Sequence, residues 1–299
     1  MKKLHADQFE ITLDLVAKLV ETQFPAYAHL PIKKFDSIGT VNAIFRLGDD
    51  YHIRLPLIPA YESAILKEFD ILSHLSNKLT TPIPKPIALG TPCASFPCHW
   101  AIHSWIDGAH FDAHAVTDTK HIVRELAQFI TELHHLGVSE KAPKAGRKPL
   151  LTLNDQTIEA LSDSAPEIDV DKALKAWKEL VLTPAWDGKP VWIHADLLRP
   201  NLITHSTHLK GVIDFGSAGV GDPAFDFVAA WAVFDEASRS DFKRLSDVDE
   251  TVWQRACAYA LHQAALIIPY YRESNPAFTQ TAVATVQEIL KDLAAAHMV

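Results

Sequence analysis

Cysteine is scarce in this chain of 299 residues, which contains only Cys93, Cys98 and Cys257. So small and odd a number cannot form a disulfide framework, and no second pair of metal-ligating residues lies near Cys93 and Cys98 in the sequence. Reduced thiols are therefore expected, as in a cytoplasmic protein.

Long apolar runs are also missing. The sequence contains no run of about eighteen apolar residues and therefore predicts no membrane span. Its first ten residues are polar and are not typical of a signal peptide. We expect a cytoplasmic protein that makes no membrane contact.

Basic residues are outnumbered by acidic ones, and the net charge is −9. Binding to nucleic acid requires a basic face that neutralises phosphates, so the sequence predicts no nucleic-acid partner. By electrostatic steering, the same charge would favour a cationic small molecule.

The sequence does show a change of pattern about one third of the way along. An amphipathic helix at Phe9–Phe24 is followed by alternating, strand-like segments and one further helix, Tyr61–Leu75. The predicted strands are Lys33–Ile38, Val41–Leu47, Tyr51–Leu55, Ile87–Leu89 and His99–Trp105. From Thr117 onward helical periodicity dominates, with short strands at Val191–His194 and Gly211–Asp214. A β-rich first third and a helical remainder predict an α+β fold with two lobes.

Two short motifs carry the chemistry. His194, Asp196 and Asn201 form H-x-D-x-x-x-x-N after an apolar, strand-like run, and Asp214-Phe215-Gly216 follows a second such run. Each motif is weak alone, but in this order and at this short separation they match the catalytic loop and the D-F-G of kinases.

Phosphoryl transfer explains these residue types. It needs a carboxylate that orients a hydroxyl and accepts its proton, for which Asp196 is the candidate. It also needs hard oxygen ligands for Mg²⁺, which Asn201 and Asp214 can supply. His194, so close to Asp196, is predicted to brace the loop rather than to act as a base.

With Asp222-Pro223-Ala224-Phe225-Asp226 added, the chain resembles the aminoglycoside phosphotransferase family. The resemblance implies a two-lobed, protein-kinase-like fold that uses ATP or GTP with Mg²⁺. The implied N-lobe is residues 1–103, the hinge 104–108 and the helical C-lobe 109–299. Asp222 is predicted to cap a helix. Asp226 either supports the catalytic loop or faces solvent.

The resemblance also implies where the nucleotide binds. The loop with Gly39, Thr40 and Asn42 lies where the family covers the phosphates, and its amides can donate to phosphate oxygens. It has a single glycine and is not G-x-G-x-x-G. Arg54 occupies the strand position that normally holds lysine, and its guanidinium can pair with phosphates bidentately.

Helical periodicity selects the partner of Arg54. Glu68 shares a face of the second helix with its apolar residues, whereas Glu62 is rotated away from that face by about a third of a turn. Glu68 is therefore predicted to fix Arg54. By similarity, the backbone of Ser104 and Ile106 would bind a purine base.

The acceptor is not specified by the sequence, and three classes remain. One is an antibiotic phosphotransferase acting on an aminoglycoside or a macrolide. Another is a metabolic kinase for choline, homoserine, a sugar or a thiosugar, and the third is a nucleotide-binding protein without turnover. No G-x-x-x-x-G-K-[ST] or A-P-E motif supports a P-loop NTPase or a eukaryotic-type protein kinase.

One acidic set bears on this choice. It either lines a pocket for a cationic substrate or forms a solvated face, the latter being the commoner outcome. The set is Asp235, Glu236, Asp241, Asp247, Asp249 and Glu250.

Overall fold

A computed structural model describes residues 8–35, 41–113, 115–116 and 118–296. The chain divides into two compact units. The first comprises Met1–Gly108 and Lys210–Gly216, and the second comprises Ala109–Leu209 and Ser217–Val299. An antiparallel sheet dominates the first and helices dominate the second, so the predicted α+β class is confirmed.

The first unit contains a sheet of five described strands and two helices. The strands are β1 (Ile32–Phe35), β2 (Asn42–Leu47), β3 (Tyr51–Pro56), β4 (Pro86–Gly90) and β5 (Trp100–Ser104), and the helices are α1 (Leu13–Gln23) and α2 (Glu62–Leu75). The strand order is β1-β2-β3-β5-β4, and neighbouring strands are antiparallel. All these elements were predicted, with different ends; the last three residues of the predicted first strand lie outside the described residues.

Helix α1 begins later than its apolar periodicity predicted. The Thr12 side chain caps the helix by accepting from the N–H of Leu15 at 3.2 Å. Before this cap, the N–H of Phe9 donates to the carbonyl of Leu57 at 2.9 Å. The cap and this backbone contact end the helix on its N-terminal side, which apolar spacing alone does not reveal.

Strand β3 separates the hydrophobic core from a polar face. Ile53 and Leu55 are fully buried in a cluster that includes Val16 and Leu19 of α1. Side chains alternate along a strand, so the neighbouring Arg54 points to the opposite face. The alternation of this strand therefore places Arg54 on the side of the sheet away from that core.

The second unit contains the remaining helices and short strands. Its described helices are α3 (Lys120–His134), α4 (Asn154–Ser162), α5 (Val170–Leu180), α6 (Ala229–Ala232), α7 (Glu236–Ser246), α8 (Glu250–Tyr271) and α9 (Pro276–Ala296). Its strands are β6 (Ala109–His110), β7 (Val191–Ile193), β8 (Leu202–His205) and β10 (Gly219–Gly221), and β9 (His208–Val212) belongs partly to each unit. Strand β10 pairs with β7 and β6 pairs with β8, both antiparallel. The division between the units falls within β9.

Several of these elements differ from the sequence prediction. The strand predicted at Gly211–Asp214 begins at His208 and ends at Val212, before Asp214. Strands β6, β8 and β10 and helix α4 were not predicted. Strands of two to four residues are too short for alternation to be detected, and their pairing partners determine them.

Helix α8 is the centre of the second unit. Its buried residues occupy most of its circumference, as expected for a core helix. Neither α8 nor any other helix in the described part of the chain is both long and apolar enough to cross a bilayer.

Two histidines, the buried His103 and the half-buried His52, lie side by side on the polar face of the first unit's sheet. His52 and His103 are paired across β3 and β5, with ring centroids 5.4 Å apart. Neither ring nitrogen of His103 has a hydrogen-bond partner among the described residues. Burial, with the charge of Arg54 as the next cause, lowers the pKa of His52 to about 3. Burial also lowers the pKa of His103, with His52 and Arg54 adding to the effect.

We therefore predict acid destabilisation that originates at this pair. Both histidines are neutral when folded and titrate near 6.5 when unfolded, so their contribution is complete above pH 6.5 and is lost as the pH falls. The free energy of unfolding should decrease by about 1.4 kcal/mol per pH unit for each histidine between about pH 6 and 4. Urea unfolding of the His52→Leu/His103→Leu variant should show a shallower pH dependence. The control His29→Leu, at an exposed position, should keep the pH dependence of the wild type. An equal change of unfolding free energy with pH in the wild type, the double variant and the control would contradict the prediction.

Candidate active site

The loop after β7 is held by one buried carboxylate. Asp226 is fully buried and accepts hydrogen bonds from the backbone N–H groups of His194 at 3.0 Å and Ala195 at 2.8 Å. The His134 ring lies 3.0 Å from its other oxygen. Ala195 has φ = 66°, which costs free energy for a residue with a side chain. The two N–H bonds to Asp226 hold this conformation and settle the alternative left by the sequence, since Asp226 supports the loop.

Asp196 follows directly, and its carboxylate is oriented by three donors. Oδ1 accepts from Arg147 Nη2 at 2.8 Å and from Gln263 Nε2 at 2.7 Å, and Oδ2 accepts from Asn201 Nδ2 at 3.0 Å. The His194 ring accepts from the Asp196 N–H at 3.2 Å, the bracing contact expected of it. The side chain keeps 24% of its surface exposed, so the carboxylate is both fixed and accessible.

The amide of Asn201 has a defined orientation. Its Nδ2 donates to the backbone oxygen of Asp196 at 2.8 Å as well as to the carboxylate. Its oxygen accepts no hydrogen bond from the described residues. An oriented amide oxygen beside a carboxylate belongs to the donor set that Mg²⁺ prefers, so Asn201 fits the ligand role predicted for it.

A second cluster lies within the first unit. Arg54 Nη1 is 2.8 Å from Glu68 Oε1, and Arg54 Nη2 is 3.2 Å from Asp214 Oδ1. Glu68 Oε1 also accepts from the N–H of Phe215 at 3.0 Å. The ion pair that helical periodicity assigned to Glu68 is present, whereas Glu62 contacts His99 instead.

Burial and the neighbouring charges have opposite effects on the pKa values of Arg54 and Glu68. Burial disfavours the charge on Arg54, but the carboxylates of Glu68 and Asp214 outweigh it and raise the pKa of Arg54. Burial, partly offset by the charge of Arg54, raises the pKa of Glu68 to about 7. Arg54 is thus a permanent cation in a largely desolvated setting, where a phosphate interacts more strongly than in water.

Asp214 occupies a strained position at the edge of this cluster. Its φ is 67°, in the left-handed region, while its side chain is 42% exposed. Backbone strain at a non-glycine residue is concentrated at functional sites. An exposed carboxylate anchored through one oxygen by Arg54 fits the metal-ligand role predicted from the D-F-G motif.

The other residues predicted to bind the nucleotide lie just before β2, at its first residue and in the predicted hinge. Gly39 and Thr40 lie outside the described residues. Asn42 is buried, and in the orientation that satisfies both amide groups its oxygen accepts from Arg54 Nη2 at 2.9 Å. In the predicted hinge, the Ser104 N–H donates to Lys85 and the Trp105 N–H donates to Asp50.

Asp222 caps the turn that follows β10. Its Oδ1 accepts from the N–H of Ala224 at 3.0 Å, at the start of the 3-10 helix Pro223–Val228. It also forms a buried ion pair with Arg255, at 2.9 Å. The capping role predicted for Asp222 agrees with this geometry.

Four members of the acidic set near α7 and α8 form helix caps or surface ion pairs. Asp235 and Asp249 are the N-caps of the two helices. Glu250 pairs with Lys243, and Asp241 pairs with Arg244. These carboxylates serve helix ends and surface ion pairs, which favours the solvated face over the cationic pocket.

Sequence reasoning missed two residues of the site. Arg147, in the segment between α3 and α4, donates to the carboxylate of Asp196. Gln263 lies on α8, far from both motifs in sequence. Their contacts depend on tertiary packing, and a single sequence contains no signal for either.

Comparison with known proteins identifies a family and relatives that this chain resembles. The family model described as "Phosphotransferase enzyme family" matches residues 34–264. A curated relative is an uncharacterised protein, YcbJ, from Bacillus subtilis (strain 168), 26% identical over 232 residues that span 68% of this chain and 72% of that protein.

Two solved structures share the fold. A GDP complex of an aminoglycoside 2'-phosphotransferase-IIIa mutant superposes with a TM-score of 0.74 at 20% identity, covering 94% of this chain and 98% of that one. The macrolide 2'-phosphotransferase MphH from Brachybacterium faecium gives a TM-score of 0.61 at 17% identity, covering 92% and 98%. These likenesses confirm the predicted protein-kinase-like fold.

The network around Asp226 predicts a large effect on stability. Asp226→Ala removes the acceptor of two buried N–H groups and the partner of His134. The free energy of unfolding should fall by about 3 kcal/mol or more, measured by urea denaturation. The exposed Asp155→Ala should change it by about 0.5 kcal/mol or less. A loss at Asp226 no larger than that of the control would contradict the network.

Proposed function

Because the chain belongs to the phosphotransferase enzyme family, we propose that it transfers the γ-phosphoryl group of ATP or GTP to a hydroxyl of a small molecule. The observation that carries the proposal is the carboxylate of Asp196. It is accessible and is oriented by Arg147, Gln263 and Asn201. Such a group can receive a hydroxyl and take its proton.

The reaction follows from this geometry. The acceptor hydroxyl donates its hydrogen bond to Asp196, which aims the oxygen at the γ-phosphorus. As the new O–P bond forms, the bond to the β-phosphate oxygen breaks, the nucleoside diphosphate leaves and the hydroxyl proton passes to Asp196. Positioning accounts for most of the acceleration, since this transition state asks for little covalent chemistry from the protein.

The donor side of the proposal rests on the first unit. Arg54 binds phosphate oxygens, and Glu68 holds its guanidinium through the ion pair at 2.8 Å. Asn42 also contacts Arg54. The loop with Gly39 and Thr40 is proposed to cover the phosphates, and the backbone of Ser104 and Ile106 is proposed to bind the base.

Asn201 and Asp214 are proposed to supply oxygen ligands to Mg²⁺. When bound, the metal would neutralise the charge that develops on the phosphates. Asn201 contributes an amide oxygen whose direction is set by Asp196, and Asp214 contributes a carboxylate held by Arg54.

Two candidate functions remain, and they differ in the molecule that accepts the phosphoryl group. The structural neighbours are named as aminoglycoside and macrolide phosphotransferases, which makes an antibiotic one candidate. A metabolic small-molecule kinase is the other, for instance one acting on choline, homoserine, a sugar or a thiosugar. A nucleotide-binding protein without turnover is disfavoured, because the oriented Asp196 has no evident purpose in it.

The role of Asp196 is tested by Asp196→Asn. The amide keeps the shape of the side chain but cannot take a proton, so turnover should fall about 10³-fold while nucleotide affinity changes little. Nucleoside diphosphate release measures the first quantity and calorimetry the second. Asp171→Asn, at an exposed position on α5, is the matched control. Loss of nucleotide binding with Asp196→Asn would identify a structural residue instead.

The role of Arg54 is tested by a pair of variants. Arg54→Ala should weaken binding of the Mg²⁺–nucleotide complex by about tenfold or more, because charge-assisted contacts to phosphate are lost. Arg54→Lys keeps a charge beside Glu68 and should lie between Arg54→Ala and the wild type. Circular dichroism verifies folding, and the exposed Lys33→Ala should leave affinity unchanged. Unaltered affinity in folded Arg54→Ala would refute the assignment.

A further inference from the structure

A cavity in the second unit adjoins Asp196. Its volume is about 450 Å³, which is enough for a small molecule. Asp196 is not among the lining residues, but Arg147 is, and Arg147 donates to the Asp196 carboxylate. A molecule in this cavity therefore lies one side chain away from the proposed catalytic base.

The charges that line the cavity are predominantly positive. Lys144, Arg147, Lys148 and Arg255 face a single acid, Asp222. Arg255 and Asp222 neutralise each other in their ion pair. Arg147 is paired with Asp196, so Lys144 and Lys148 are the two lining cations that form no ion pair within the described part of the chain. Arg147 Nη1 is equally without a partner among the described residues, since its hydrogen bonds use Nε and Nη2.

The loop that carries these cations is fixed in place. The Val220 N–H donates to Pro143, the Ala145 N–H donates to Val220, and the Gly146 N–H donates to Ser217. Gly219 makes this approach possible, because a Cβ there would lie 2.5 Å from the backbone nitrogen of Ala145. Lys144 and Arg147 therefore project from a backbone held along β10.

The rest of the cavity is largely apolar. Trp186, Phe225 and Tyr259 contribute aromatic surface, and Leu150 adds an aliphatic side chain. Aromatic walls suit the body of a ligand, whereas a few charged groups fix its orientation. The lining therefore matches a small, partly apolar molecule with a negatively charged group.

We infer that the acceptor is an anion, a hydroxyl-bearing molecule whose carboxylate or phosphate is bound by Arg147 together with Lys144 and Lys148. This inference rests on the proposed function and specifies its acceptor. It assigns Arg147, Lys144 and Lys148 as specificity-determining residues. A polycation such as an aminoglycoside would meet like charge in this cavity, although the chain as a whole carries −9.

His262 lies close enough to Arg147 for that charge to act on its ring, although His262 does not line the cavity. Burial, with the charge of Arg147 adding to it, lowers the pKa of His262 to about 4. Its Nδ1 lies 2.7 Å from the hydroxyl of Thr157. His262 is therefore neutral and supplies no countercharge to an acceptor.

A matched series of acceptors tests the inference. Four compounds share a hydroxymethylbenzene body and differ only in the para group: 4-(hydroxymethyl)benzoate, 4-(hydroxymethyl)phenyl phosphate, 1,4-benzenedimethanol and 4-(aminomethyl)benzyl alcohol. Calorimetry with the full chain, Mg²⁺ and a non-hydrolysable nucleotide should show that at least one of the two anions binds about tenfold more tightly than the neutral and cationic members. Comparison of the two anions distinguishes a carboxylate site from a phosphate site.

Charge reversal in the loop supplies the matched variants. Lys144→Glu/Lys148→Glu should weaken binding of the preferred anion by about tenfold and leave the neutral compound within about twofold. Lys141→Glu reverses one such charge on an exposed residue of the same loop that does not line the cavity, and should have no effect beyond about twofold. Equal affinities for all four compounds, undetectable binding of all four, tighter binding of the cation, or equal effects of the two charge reversals would each overturn the inference.

The inference and the proposed function fail in different ways. Loss of the function would appear as absent nucleotide binding, or as binding that is indifferent to Arg54→Ala. If nucleotide binds through Arg54 and kanamycin is phosphorylated while every anion is refused, only the anionic acceptor is wrong. Phosphorylation of an anionic member of the series, with a higher KM in Lys144→Glu/Lys148→Glu, supports both.

Discussion

The carboxylate of Asp226 is the constraint on which the loop carrying Asp196 depends. It is fully buried, and it accepts from the N–H groups of His194 and Ala195, the latter having a left-handed backbone conformation. Without this carboxylate, the turn would combine a strained backbone with two buried N–H groups that have no hydrogen-bond acceptor. With it, Asp196 emerges in one orientation and meets Arg147 and Gln263. A structural interaction, made by a side chain that touches no substrate, thus sets the direction of the proposed base.

The charge around the cavity beside Asp196 is positive, whereas the net charge of the chain is negative. The inferred preference for an anionic acceptor rests on the charge around the cavity. The chain carries −9, and by itself this favours a cationic partner through steering. Yet acidic residues such as Asp235 and Asp249 are used to cap helices. The cavity beside Asp196 is instead lined by Lys144, Arg147 and Lys148. Long-range steering is screened within about 8 Å at physiological salt, whereas a ligand bound in the cavity would be in direct contact with these groups.

The parts predicted from sequence were those encoded locally. Helical periodicity selected Glu68 over Glu62 as the partner of Arg54, and this periodicity lies in residues close together in the chain. The H-x-D-x-x-x-x-N and D-F-G motifs located Asp196 and Asp214 because their spacing is itself the signal. Arg147 and Gln263 were not found, since 49 and 67 positions separate them from Asp196 and only packing brings them to it. Short strands such as β10 were not predicted for the same reason, because they pair with strands that are distant in the sequence.

The destination of the γ-phosphoryl group tests most directly whether this chain is a hydroxyl phosphotransferase with Asp196 as its base. Phosphorus NMR can follow it when the chain is incubated with Mg²⁺, ATP or GTP and a hydroxylated acceptor. A phosphomonoester of the acceptor should accumulate with the wild type and not with Asp196→Asn, at equal nucleotide occupancy. Release of inorganic phosphate alone, or the same ester at the same rate from Asp196→Asn, would contradict the role of the carboxylate that Asp226 and its loop hold in place.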